Sequence, residues 1–134
     1  MPQLERTVLI VDDDPALFRG LGRSLADEDF TIVTAVSAAE AAAVLRRNTV
    51  DVVVCDQRMP GLTGIDFLAD VRRKYPHLTT MLLSGYVSGL PVAMQAARQV
   101  GIHTVLSKPC SAAELARAIR QLILDGAVAS VDCR

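Results

Sequence analysis

Three consecutive carboxylates, Asp12, Asp13 and Asp14, stand directly after the apolar run Thr7 to Val11, and a lone carboxylate, Asp56, follows a second such run, Val50 to Cys55. A hydroxyl, Ser84, and an ammonium, Lys108, stand after two more short apolar runs further along. If Asp12, Asp13 and Asp56 converge, Lys108 alone leaves a net charge of about −2, a repulsive centre unless a divalent cation fills it. Oxygen donors of this kind suit Mg²⁺, which takes a few carboxylates, keeps several waters and completes its shell from a substrate phosphate. No thiolate or imidazole stands where a zinc site would need it. The set therefore has the composition of half a phosphoryl-transfer site. Asp56, alone at the tip of its run, has the character of a nucleophile. Ser84 as a hydroxyl donor and Lys108 as a point charge would both compensate charge on the phosphoryl oxygens.

These residues can meet only if the intervening segments bring the ends of the runs together. Thr7 to Val11, Phe30 to Ala35, Val50 to Cys55, Thr80 to Leu83 and Thr104 to Leu106 are strand-length, and helix-length segments separate them. Several are apolar at successive positions, which suits a parallel sheet covered on both faces and joined by crossover helices. Five βα units with right-handed crossovers predict an α/β, flavodoxin-like doubly wound (βα)5 fold with a five-stranded parallel sheet in the order 2-1-3-4-5. Ligands of such sheets bind at the carboxyl ends of the strands. Asp12, Asp13, Asp56, Ser84 and Lys108 all fall on that edge.

The helices carry their own start signals. Asp14 and Pro15 open the first, ahead of the stripe Leu17, Phe18, Leu21 and Leu25. Ser37 with Glu40, and Ser111 with Glu114, have capping-box spacing, and Thr63 with Asp66 is similar. The helix after Thr63 should stop near Tyr75, since Pro76 cannot continue it. Gly85, Gly89 and Pro91 delay the next helix to about Pro91, and it runs to about Val100. The last helix has the face Leu115, Ile119, Leu122 and Ile123, and residues 126–134 lack helical periodicity, which predicts a domain over 1–125 and a loose tail.

The bulk composition agrees with one soluble domain of 134 residues. Apolar residues make up 51% and aromatic residues 4%, with no Trp, so the core must be built from Val, Leu, Ile and Ala. Fourteen basic against fifteen acidic side chains give a formal charge of −1, which advertises no nucleic-acid or anionic-membrane surface. Three cysteines without CxxC spacing and the absence of a leader pattern point to the cytoplasm. Cys55 should be a packed core thiol, because it points away from Asp56's face. His103 should lie at a surface or edge.

Four segments, VDDDP (11–15), DQRMPGLTG (56–64), LSGY (83–86) and LSKP (106–109), in this order, resemble the receiver domain of two-component response regulators. The resemblance covers nearly the whole chain. It implies that Asp12 and Asp13 are metal-binding acids, Asp56 the phosphorylated residue, Ser84 the switch hydroxyl and Lys108 the phosphate-contacting lysine. It further implies that the Arg58 carbonyl is a metal ligand and that Lys108-Pro109 is cis. The expected cofactor is Mg²⁺. The expected partners are a sensor histidine kinase or phosphotransfer protein and a downstream effector protein or domain, with phosphorylation-dependent homodimerisation as a further outcome the resemblance allows. Such a domain catalyses only its own phosphoryl transfer and dephosphorylation.

One position departs from that pattern. Three residues before Lys108, where the family often has a switching Tyr or Phe, stands Val105, whose short β-branched side chain cannot sweep between buried and exposed positions. The glycine-rich loop 85–91 is expected to carry the signal instead. Arg58 and Tyr86, two places beyond Asp56 and Ser84, are expected to shield an acyl phosphate from water. A rival reading, a phosphatase resembling the haloacid dehalogenase group with Asp12 as nucleophile, leaves Asp56 and the MPG turn unexplained. A flavodoxin-like cofactor binder would need a phosphate-cradling loop where the acidic first loop stands.

Overall fold

The computed structural model describes residues 6–13, 30–59, 61–85, 90–108 and 111–132. Its elements are β1 (Arg6–Val11), β2 (Phe30–Ala35), α1 (Ala38–Arg47), β3 (Val52–Asp56), α2 (Gly64–Lys74), β4 (Thr79–Ser84), α3 (Leu90–Val100), β5 (Thr104–Ser107) and α4 (Ala112–Asp132). All strand pairs are parallel, and the sheet order is β2-β1-β3-β4-β5, as the spacing of the apolar runs predicts. The helix expected to begin at Asp14 and Pro15, Tyr86, Pro109, Cys110 and Cys133 lie outside the described residues.

Strand alternation divides the core in two. Leu9, Val11, Val53, Cys55 and Leu82 face Leu45, Phe67, Leu68, Val71 and Ala97 on one side of the sheet. Val8, Ile10, Val52, Val54, Met81 and Leu83 face Leu115, Ala116 and Ile119 of α4 on the other. Because both faces are covered, every residue of β3 is buried, and so is β4 beyond its first residue. Each wholly buried Leu or Ile in these layers contributes roughly 1.5–3 kcal/mol of transfer free energy. Two apolar layers of this kind hold the strand ends in fixed register.

The helix starts follow the capping residues. Ser111 Oγ accepts from the Glu114 amide at 3.0 Å and Glu114 Oε1 accepts from the Ser111 amide at 2.8 Å, a closed capping box. At α1 the box is offset: Ser37 Oγ accepts from the Glu40 amide, but the Glu40 carboxylate takes the amide of Val36. Thr63 Oγ1 caps α2 through the Asp66 amide. Helix α2 ends at Lys74 with Tyr75 as its C-cap, one residue before Pro76. Helix α3 starts at Leu90, beside the expected Pro91.

The expected loose tail from Gly126 is corrected by the backbone, which stays helical to Asp132. Ala127, Val128, Ala129, Ser130 and Val131 include no proline, and one glycine costs a helix only about 1 kcal/mol. A run can therefore propagate without an amphipathic face to call it.

Candidate functional site

Each candidate residue sits at the carboxyl end of a strand or one to two places beyond it. Asp12 follows β1, and its amide is fixed by the Ala35 carbonyl at 3.0 Å. Asp56 is the last residue of β3 and pairs in register with Leu83, so Ser84 stands one step further on the neighbouring strand. Ser84 in turn pairs with Ser107, and its carbonyl accepts the Lys108 amide at 2.7 Å. Three strands thus deliver Asp56, Ser84 and Lys108 to one spot, and β1 delivers the acids opposite.

Lys108 Nζ donates to Asp12 Oδ2 and Asp56 Oδ1, both at 3.2 Å. Asp12 is fully buried, Asp56 and Ser84 are nearly so, and Asp13 is exposed at the mouth. Carboxylate oxygens of Asp12, Asp13 and Asp56 all lie within 4.8 Å of one another. One ammonium against three close carboxylates leaves the site net negative. An all-oxygen, carboxylate-rich donor set with that deficit fits a hard divalent cation.

The electrostatics are those of a confined acid–base pair. Burial raises the Asp56 pKa, Lys108 pulls it down, and Asp12 and then Asp13 push it up, with a net rise. Burial lowers the Lys108 pKa, but the charges of Asp12 and Asp56 and their hydrogen bonds outweigh it, so the ammonium is held above its usual range. Behind Asp56, on the far side of the strand, Cys55 is fully buried, with its thiol donating to the Asp56 carbonyl at 3.4 Å. Burial, then Asp56 and Asp12, lift that thiol far above the ordinary range.

Two residues without an assigned role from sequence frame Asp56. Gln57 donates its amide to the Leu83 carbonyl at 2.8 Å, accepts the Gly64 amide at 3.0 Å, and accepts the Ile65 amide on its side-chain Oε1 at 3.0 Å. It staples the loop after Asp56 to both β4 and the start of α2. Gly64 lies so close that a Cβ there would stand 2.4 Å from the Asp56 carbonyl oxygen. Within the same loop Gly61 has φ +81°, a left-handed turn suited to glycine. The motif segment 56–64 carried both residues, but a contact between β3 and α2 has no signature in spacing alone.

The other expected residues fall as follows. Arg58 is exposed, in the loop after Asp56. Val105 is half-buried, in register with Leu82, and packs against the core layer of α1–α3. Cys55 is the packed core thiol expected. His103 is at the opposite edge of the sheet, exposed overall, yet its Nδ1 accepts the Thr80 amide at 3.1 Å while its own amide bonds Thr80 Oγ1 at 3.2 Å. Among the described residues no helix is long and apolar enough to cross a membrane.

Known proteins share this fold. The family model described as "Response regulator receiver domain" matches residues 8–120, and the chain belongs to that family. It is 39% identical over 123 residues to the hydrogenase transcriptional regulatory protein HoxA of Cupriavidus necator, covering 92% of this chain and 25% of that one. It is 37% identical over 123 residues to the transcriptional regulatory protein GlrR of Escherichia coli, covering 92% of this chain and 27% of that one. The chain thus spans about a quarter of these relatives' length. Among solved structures, the signal receiver domain of an HD domain-containing protein from Pseudomonas fluorescens matches with a TM-score of 0.82 at 27% identity, over 96% of this chain and 93% of that one. The chemotaxis response regulator CheY4 of Vibrio cholerae matches with a TM-score of 0.78 at 27% identity, over 89% of this chain and 99% of that one. The chain is a signalling domain whose relatives are two-component response regulators.

Proposed function

We propose that Asp56 accepts the phosphoryl group that switches this domain, and that Asp12, Asp13, Ser84 and Lys108 serve that transfer. The observation that carries the reading is Lys108 Nζ shared at 3.2 Å between Asp12 and Asp56, with Asp13 completing the acid cluster. The donor is a phosphohistidine of a sensor kinase or phosphotransfer protein. An Asp56 carboxylate oxygen forms the new O–P bond while the N–P bond breaks and the imidazole leaves. Lys108 follows the charge from the Asp56 oxygen onto the phosphoryl oxygens, and the Ser84 hydroxyl donates to the same oxygens.

Asp12, Asp13, Asp56 and the Arg58 carbonyl would hold Mg²⁺, which when bound neutralises the carboxylate excess and the charge gathering on phosphorus. The remaining catalysis is positioning by the strand ends. The domain catalyses only its own phosphorylation and dephosphorylation. Val105 leaves no aromatic ring to couple Ser84 to the surface, so loop 85–91 carries the change to an effector domain or partner protein. Arg58 and Tyr86 slow hydrolysis by shielding. Transcriptional control is the output suggested by the longer relatives.

Intact-mass and peptide mapping after treatment with an acyl phosphate and Mg²⁺ tests the assignment. Phosphate on Asp56, lost in Asp56→Asn, supports it. Phosphate on Asp12 would instead support the phosphatase reading, and no mass gain with either an acyl phosphate or a competent kinase would sink both.

A further inference from the structure

Away from the carboxylate site, α1 and α2 cover the same face of the sheet without packing closely on each other, whereas α2 and α3 are in direct contact. Between them lies a groove of about 390 Å³. This falls at the lower end of the roughly 300–1,000 Å³ typical of small-molecule sites. The opening has a cause in sequence: α1 turns Ala38, Ala39 and Ala42 toward it, opposite Phe67 and Val71 of α2.

The groove is polarised along its length. Both helices lead from one parallel strand to the next, so they run side by side and end together at the edge of the sheet remote from Asp56. At that end stand Arg46 and Lys74, one from the last turn of each helix, with Tyr75 beside them. Neither cation has an ion-pair partner among the described residues. Asp70, which also lines the groove, is already paired with Arg73. Complementing the helix dipoles accounts for basic residues in these turns. It does not account for an apolar trough leading up to them. At about 1.5 Å per residue, ten residues of α1 make a wall of roughly 15 Å, the reach of a medium-length alkyl chain.

We infer that this groove binds a small amphipathic carboxylate, its chain along the alanine wall of α1 and its head group between Arg46 and Lys74. The site is independent of the phosphoryl chemistry assigned to Asp56. It touches the loop after that residue through Leu62, which lines the groove's other end.

Titration of the labelled chain with decanoate below its micelle concentration, followed by amide chemical shifts, tests the inference. Decanoate should give saturable shifts confined to residues 38–46 and 62–75, with decanol binding about tenfold more weakly for lack of the charge-assisted bonds. Decyltrimethylammonium should not bind. The exposed changes Arg46→Gln and Lys74→Gln should each weaken decanoate several-fold and leave decanol unaffected, and Ala42→Trp should fill the trough and abolish both. Should the Trp variant fail to fold, the two charge variants still decide. Shifts absent or lying elsewhere overturn the site. Equal affinity for decanol overturns the carboxylate, and shifts of the same residues on concentrating the protein alone identify a second copy as the occupant and overturn the ligand.

Discussion

Gly64→Ala adds one methyl group and removes no chemical group, yet it should disable the site. The new Cβ would stand 2.4 Å from the Asp56 carbonyl oxygen and 2.9 Å from both the Asp56 carbonyl carbon and Gln57 Cα. The closest of these is about 1 Å short of ordinary contact, and all three atoms are backbone, so no side chain can yield. Overpacking of this kind costs roughly 1–3 kcal/mol. Alanine's preference of about 1 kcal/mol over glycine is earned in helix interiors, and Gly64 opens α2, so little of it offsets the clash. With a urea slope of roughly 1–3 kcal/mol/M, the unfolding midpoint should fall by about 1 M. Acceptance of phosphate from an acyl phosphate should slow as well, because relief of the clash moves either Asp56 or the Gln57 staple. Gly61→Ala is the control: its Cβ meets nothing within 4 Å, so it should lose only the roughly 1–2 kcal/mol of a left-handed backbone and keep its phosphorylation rate. An unchanged midpoint and rate in Gly64→Ala would refute the claim that this contact positions Asp56.

Three further outcomes follow from the structure. Mg²⁺ should stabilise the parent by ~2.7 kcal/mol at a hundredfold excess over its dissociation constant, and EDTA should reverse this, while an Asp12→Asn, Asp13→Asn double variant should show no Mg²⁺-dependent shift in thermal melting. Burial, then Arg72, lower the pKa of His103 below its ordinary 6.5, so the unfolded chain binds the proton more readily. That contribution is full above the unfolded value and lost as pH falls from about 6.5 through the folded one, so His103→Gln should flatten the stability slope between about pH 7 and pH 5. Ser111→Ala opens the capping box of α4 and should cost about 1 kcal/mol in chemical denaturation.

The strand ends were legible because a parallel sheet places the last residue of every strand on one edge. Asp12, Asp56, Ser84 and Lys108 could be assigned to a common site from the apolar runs before them. Capping spacings located the helix starts for the same reason, as they are local. What escaped is non-local. Gly64 is required by the carbonyl of Asp56, and Gln57 acts through amides of another element, neither of which appears in periodicity. The helix beyond Gly126 escaped for the opposite reason: no apolar periodicity marks it in the sequence, and no proline ends it.

The thiol of Cys55 acquires a meaning from its neighbour. An aspartyl phosphate is a mixed anhydride, and a thiolate within reach would convert it to a thioester and discharge the signal. Strand alternation turns the sulfur to the other face, and burial keeps it protonated. On the proposal that Asp56 carries the phosphoryl group, the residue adjoining it can therefore be one of the strongest nucleophiles among the side chains, because the pleat makes it chemically silent.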